Sequence, residues 1–193
     1  MTEGLGVVGL LAVFGVVLFG SIIPVVPTGA AVSGAAVLAR AEHPWELIIV
    51  VLVGAAGAYV GDIVTYAALR WAGEPLARRV GWLRADDPDA AIQRLRAGLE
   101  RHELRSLLVS RLVPGGRIPV LLAAALGGYP WQRYVSAAVL ATLLWSLTYT
   151  LIGLIGDSLF PDVQAAVIAA VVGAVALTFL SQLVQRWVRR RRA

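Results

Sequence analysis

The chain has 193 residues, of which 59% are hydrophobic and 15% charged, with a formal net charge of +5 and a mean hydropathy of +0.77. These values lie outside the range of soluble domains and indicate an integral membrane protein. Disulfide and thiolate chemistry is excluded because there is no cysteine. His43 and His102 are too far apart to predict a metal site. The positive charge is expected to favour anionic lipid over nucleic acid.

The order of apolar and polar stretches predicts an all-α membrane protein with a single domain over 1–193. It combines transmembrane helices with two opposed re-entrant hairpins and one amphipathic surface helix. The predicted elements are a transmembrane helix at 5–20, a re-entrant hairpin at 21–40, a transmembrane helix at 46–71, an amphipathic cytoplasmic segment at 73–104, a second re-entrant hairpin at 105–128, transmembrane helices at 131–156 and 162–187, and a basic tail at 188–193.

The first predicted hairpin is broken by Pro24, Pro27 and Gly29, which we expect to act as a gate at its tip. A kinked but ordinary span is the alternative interpretation. The side of the membrane on which the N-terminus lies depends on which of the two is correct.

Asp62, Tyr66 and Arg70 follow one another at intervals of four within the next span, so they share one helical face. A lone carboxylate at this depth would be protonated or paired. Asp62 is therefore predicted to be either a titratable coupling group or a counter-ion for an arginine of the second hairpin. Tyr66 and Arg70 are predicted to belong to the same coupling or counter-ion group.

The polar segment 73–104 contains Ile92, Leu95 and Leu99 on one helical face, with charged residues on the others. This pattern is typical of an amphipathic helix on a membrane surface. A solvated linker helix is the alternative.

The second predicted hairpin holds two arginines and several helix breakers inside an apolar stretch. An arginine at a bilayer centre costs roughly 2.5–3.5 kcal/mol, so such a segment needs partners for its charges and cover for its backbone. An anion at the turn would meet both needs, whereas arginines that reach out to the headgroups would not bind cargo. The expected binding residues are Arg111, Gly115, Gly116 and Arg117, with Pro114 and Pro119 as gates.

The distribution of arginine predicts which face this hairpin enters. Segment 70–105 carries eight arginines and the C-terminal tail carries five, so both should be cytoplasmic by the positive-inside rule. Three apolar runs separate them, and an even number must cross. We therefore expect 105–128 to enter and leave from the cytoplasm.

No hydrolase or nucleotide-binding motif occurs, so we expect neither an enzyme nor a cofactor. The basic tail is predicted to contact anionic lipid. The sequence is compatible with a homo-oligomer and with a monomer.

The chain resembles the DedA family, also called the VTT-domain family, over roughly 18–160. The resemblance rests on Gly57-Ala-x-x-Gly61-Asp62-x-x-x-Tyr66-x-x-x-Arg70-x-x-Gly73, on Arg111-x-x-Pro114-Gly115-x-Arg117-x-Pro119, and on Ala124, Gly127 and Tyr134. It implies two opposed re-entrant hairpins and lipid transport across the bacterial cytoplasmic membrane. The implied cargo is undecaprenyl phosphate or a phospholipid such as phosphatidylethanolamine, with Arg111 and Arg117 meeting its phosphate.

Many bacterial members of that family carry acidic residues beside the first hairpin, but positions 20–22 and 28–30 hold none here. Proton coupling by those acids therefore does not carry over. The sequence favours a lipid flippase. A proton-coupled small-solute transporter that uses Asp62 and a non-transporting scaffold are the alternatives.

Overall fold

The computed structural model describes residues 6–23, 28–79, 88–112, 116–159 and residue 172, and the secondary structure of these residues is helical. The prediction of an all-α protein is confirmed. Four predicted gate or binding residues (Pro24, Pro27, Pro114 and Gly115) lie outside the described residues, as do the basic tail and, apart from residue 172, the predicted last span. The helices of the described part are α1 (Gly6–Ile22), α2 (Thr28–Glu42), α3 (Glu46–Arg79), α4 (Pro88–Arg101), α5 (Glu103–Leu112), α6 (Arg117–Leu126) and α7 (Trp131–Leu159).

Two of the described helices are long and apolar enough to cross a membrane, namely Glu46–Gly73 within α3 and Trp131–Leu159, which is α7. They cover the stretches predicted as spans at 46–71 and 131–156. At Gly73 the backbone leaves the helical conformation, with φ 65° and ψ −156°. Glycine adopts this conformation readily because it has no β-carbon. The apolar part of α3 therefore ends at this glycine.

Helix α1 runs parallel to α3 in close contact. Gly57 faces Val17, and one turn later Gly61 faces Ser21. Both glycines let the backbones approach because a β-carbon at either position would overlap atoms of α1. The end of α1 is thereby fixed beside the middle of α3.

Helix α3 runs antiparallel to α7. Gly54 of α3 faces Ser146 of α7. Further along α3, the ring of Tyr66 stacks on Tyr134, with ring centroids 4.2 Å apart. From the first contact to the second, the residue number rises on α3 and falls on α7. The two helices therefore run in opposite directions.

Helix α2 runs parallel to α7. Gly29 lies against the ring of Tyr149, and Gly153 lies against the backbone of Ser33, whose hydroxyl donates to the Tyr149 carbonyl at 2.7 Å. Since α1 is parallel to α3 and α2 is parallel to α7, α1 and α2 are antiparallel. We call this pair the first hairpin. Its two helices, Gly6–Ile22 and Thr28–Glu42, include most of the stretch predicted as a separate span at 5–20 as well as most of the hairpin predicted at 21–40.

Helices α5 and α6 form the second hairpin, and α4 packs against both of them. Ile92 and Leu99 of α4 are buried in one apolar cluster with Leu121 and Leu122 of α6. The amphipathic helix predicted from sequence is therefore present. Ile92 and Leu99 are covered by protein, and the placement of this helix on the membrane surface stays a prediction.

The buried apolar side chains form two clusters at different levels of the bundle. One contains Tyr66 of α3 and Tyr134 of α7. The other contains Ala58 of α3 and Trp145 of α7. Asp62 lies on α3 between Ala58 and Tyr66, where one cluster gives way to the other.

We predict that Gly61→Ala weakens the packing of α1 on α3. Its β-carbon would lie 2.8 Å from the Leu18 carbonyl oxygen and would overlap Ser21, and overpacking of this kind costs about 1–3 kcal/mol. Thermal unfolding of the purified protein measures the effect. Gly15→Ala is the matched control on α1, because a β-carbon there meets no described atom within 4 Å. Equal melting temperatures for the two variants would contradict the close contact.

Candidate functional site: a buried arginine–aspartate cluster

Asp62 is held at depth in the bundle. It lies sixteen residues after Glu46, where α3 begins, which corresponds to about 24 Å at 1.5 Å per residue. The residue is only 3% exposed. A carboxylate in such surroundings requires a partner of opposite charge.

Two arginines of the second hairpin supply that partner. Arg111, at the end of α5, donates from Nη2 to Asp62 Oδ2. Arg117, the first residue of α6, places Nη1 3.5 Å from Asp62 Oδ1. The contact expected between Asp62 and the arginine hairpin is therefore present. The side chains of Arg111, Arg117 and Asp62 are 5%, 16% and 4% exposed. We call these three residues the charge cluster.

The charge cluster has an excess of positive charge. Two guanidinium groups carry +2 and one carboxylate carries −1, so the sum is +1. Helix α6 begins at Arg117, and the free N–H groups of a helix N-terminus add partial positive charge there. Among the described residues, the three side chains of the cluster thus leave one positive charge unbalanced.

Each arginine has a second contact that fixes its orientation. The guanidinium carbon of Arg111 lies 5.9 Å from the ring centroid of Trp145 on α7, within the range of a cation–π interaction. Arg117 donates from Nη2 to the backbone carbonyl of Ser21 at the end of α1. The Arg117–Ser21 bond joins the second hairpin directly to the first.

Tyr66 and Arg70 belong to a neighbouring network and do not contact the charge cluster by any described hydrogen bond. The Tyr66 hydroxyl donates to the Tyr129 carbonyl at 2.8 Å. Arg70 Nη1 lies 3.1 Å from that carbonyl and 3.1 Å from the Tyr66 hydroxyl. Asp62, Tyr66 and Arg70 share one helical face, as predicted, but they make two separate sets of contacts. Asp62 holds the arginines, and the other two residues tie α3 to the connection between α6 and α7.

The remaining described gate and binding residues lie around the turns of the hairpins. Gly116 directly precedes α6, and Pro119 is half-buried in the first turn of that helix. Gly29 lies near the start of α2 against Tyr149. Among the described residues no three His, Cys, Asp or Glu side chains are grouped as a metal ion would require.

Sequence reasoning did not assign three residues to this site. Ser21 contributes a backbone carbonyl, which no side-chain pattern reveals. Trp145 lies in an apolar run, where an aromatic residue is usually a packing residue. Tyr134 is fully buried, and its ring stacks on Tyr66, one helical turn from Asp62. Its signal in the sequence was its place among the residues on which the family resemblance rests.

The sequence model of the VTT domain matches residues 10–155, which include the charge cluster, the second hairpin and all of the first hairpin except its first four residues. The chain belongs to the VTT-domain family, the DedA family, whose members are membrane proteins and generally transporters rather than enzymes. No curated protein and no solved structure matches the chain significantly.

We predict that Asp62→Asn destabilises the protein by about 3–5 kcal/mol, because it leaves two buried guanidinium groups without a counter-charge. Denaturant or thermal unfolding in mixed micelles measures the loss. Asp157→Asn is the control, since Asp157 pairs with the half-exposed Arg40 at 3.1 Å and exposed pairs contribute about 0–1 kcal/mol. Similar losses for both variants would contradict the importance of the buried charge.

Proposed function

We propose that this protein is a lipid flippase of the bacterial cytoplasmic membrane, which moves a phosphate-bearing headgroup between leaflets. Undecaprenyl phosphate is the preferred cargo, and a phospholipid such as phosphatidylethanolamine is the second. The observation that carries the proposal is the buried charge cluster, in which Arg111 and Arg117 share one carboxylate and retain one positive charge. A single anionic group would bring this charge to zero.

A phosphate suits the geometry of the cluster better than a small cation does. A guanidinium presents its N–H groups as a fork that matches two oxygens of a phosphate. Both arginines are already held in place by Trp145 and Ser21, so little side-chain entropy remains to be lost on binding. The headgroup would compete with Asp62 and with the Ser21 carbonyl for the same N–H donors.

We propose further that both hairpins are re-entrant and enter from opposite faces. The sequence alone predicts a separate span at 5–20, but the antiparallel contact of α1 with α2 favours α1 as one arm of the first hairpin. On this view the ends of both hairpins meet at the Arg117–Ser21 bond. Separation of the hairpins at this bond would open the cluster to one face at a time. The segment 73–104 and the C-terminus would be cytoplasmic.

The proposed transport follows the gradient of the lipid itself. Asp62 lies between two arginines and pairs with both of them, so its carboxylate is already used as their counter-charge. This arrangement favours the counter-ion interpretation of Asp62 over the coupling interpretation. Cargo phosphate would relieve the excess positive charge and leave the carboxylate in place.

We expect Arg111→Ala and Arg117→Ala to slow the flipping of undecaprenyl phosphate in reconstituted vesicles by at least about tenfold, since hydrogen bonds to charged groups contribute about 1.5–3 kcal/mol. Arg105→Ala is the matched control, because Arg105 lies exposed on the same helix as Arg111. Circular dichroism and gel filtration of each variant check that the helices are retained. Wild-type rates in both cluster variants would contradict the flippase proposal.

The same vesicles separate the two alternatives. Solute uptake that tracks the pH gradient and disappears in Asp62→Asn, without movement of lipid, would identify a proton-coupled transporter. Loss of function on removal of 186–193, with both arginine variants still active, would identify a scaffold.

Cysteine labelling tests the topology, because the chain contains no cysteine of its own. We expect His102→Cys and Gln132→Cys, on either side of the second hairpin, to react with an impermeant thiol reagent only from the cytoplasmic face. His43→Cys and Glu3→Cys should react only from the opposite face. A cysteine at position 132 that reacts from the outside would contradict a re-entrant second hairpin.

A further inference from the structure

The hydroxyl of Tyr134 is buried without a hydrogen-bond partner among the described residues. The residue is 0% exposed and lies on α7. Burial of a hydroxyl without a partner costs about 1–3 kcal/mol on the scale of protein mutations, and native structures contain few such groups. A phenylalanine would fill the same space without that cost. The hydroxyl therefore requires an explanation.

The position of Tyr134 provides one. Its ring stacks on Tyr66, which lies one helical turn from Asp62 on α3. The three charges of the cluster lie near enough to act on the Tyr134 hydroxyl, but no hydrogen bond joins it to any of them. Asp62 Oδ1 is likewise buried without a hydrogen bond in the described part of the chain. The Tyr134 hydroxyl, which makes no hydrogen bond, therefore lies close to the charge cluster.

We propose that the Tyr134 hydroxyl is a neutral hydrogen-bond donor for the anionic headgroup that Arg111 and Arg117 bind. This inference rests on the proposed function and adds a third binding residue to it. The ligand chemistry is a phosphate oxygen, whether from a prenyl phosphate or from a phospholipid. A phenol donates to an anion without adding charge. It thus strengthens binding of the headgroup while the cluster retains only one excess positive charge to be neutralised.

Tyr66 provides a matched comparison, because the two tyrosines stack on each other but differ in hydrogen bonding. The Tyr66 hydroxyl donates to the Tyr129 carbonyl, whereas the Tyr134 hydroxyl has no described partner. Tyr66→Phe and Tyr134→Phe each remove one oxygen atom from the same stack. Loss of a used hydroxyl lowers stability, whereas replacement of an unused buried one is neutral or stabilising. Tyr66→Phe should therefore lower stability without weakening headgroup binding. Tyr134→Phe should weaken headgroup binding without lowering stability.

The experiment compares wild type, Tyr134→Phe, Tyr66→Phe and Arg117→Ala in mixed micelles. Melting temperature is measured against increasing undecaprenyl phosphate, phosphatidylethanolamine or undecaprenol, the last of which lacks phosphate. Without lipid, Tyr134→Phe should melt at or above the wild-type temperature, and Tyr66→Phe should melt below it. The half-saturating concentration of undecaprenyl phosphate should rise about 10- to 100-fold in Tyr134→Phe and stay near wild type in Tyr66→Phe. A parallel rise for phosphatidylethanolamine would identify a phospholipid as cargo.

Wild-type affinity in Tyr134→Phe together with weakened binding in Arg117→Ala would overturn the role of the hydroxyl and leave the proposed function in place. A lower melting temperature without any change in affinity would also overturn it, because the hydroxyl would then be structural. Wild-type affinity in both variants, or equal binding of undecaprenol, would instead contradict the proposed function itself.

Discussion

The electrostatic balance between two arginines and one aspartate is the constraint on which this helical bundle depends. A buried charge is tolerated only when it is paired and hydrogen-bonded, and Asp62 satisfies this condition for Arg111 and partly for Arg117. The carboxylate comes from α3 and the guanidinium groups from the second hairpin. The cluster therefore fixes the depth at which the second hairpin lies along α3.

The glycines of α3 serve the same arrangement from the other side. Gly57 and Gly61 allow α1 to lie close against α3, and this brings the Ser21 carbonyl within reach of Arg117. Apolar packing alone would allow two hydrophobic helices to lie at many positions along each other, because one aliphatic contact resembles another. The polar contacts select one of these positions. The glycines of α3 thus allow close packing, whereas its aspartate selects the position of the second hairpin along the helix.

Sequence could anticipate the helical class of the chain, the two long apolar helices and the opposite charges of the cluster. A charged residue in an apolar run indicates a buried ion pair or a functional site, and proline beside glycine indicates a break in a helix. It could not anticipate that Asp62 serves the cluster while Tyr66 and Arg70 serve another contact, because helical periodicity places all three on the same face. It also could not anticipate that Ile92 and Leu99 pack against α6, because an amphipathic helix on a membrane surface shows the same spacing of apolar residues. The role of Ser21 left no trace in the sequence, because the contact uses its backbone.

That last contact has an evolutionary consequence. Every amino acid carries the same main-chain oxygen, so a change of side chain at position 21 removes nothing that Arg117 requires. Space is the limit instead, because Ser21 is 2% exposed and its β-carbon lies against Gly61. Among related chains we expect position 21 to hold different small residues but hardly to vary in volume. A larger residue is expected there only where the facing glycine is kept and the helices have moved apart.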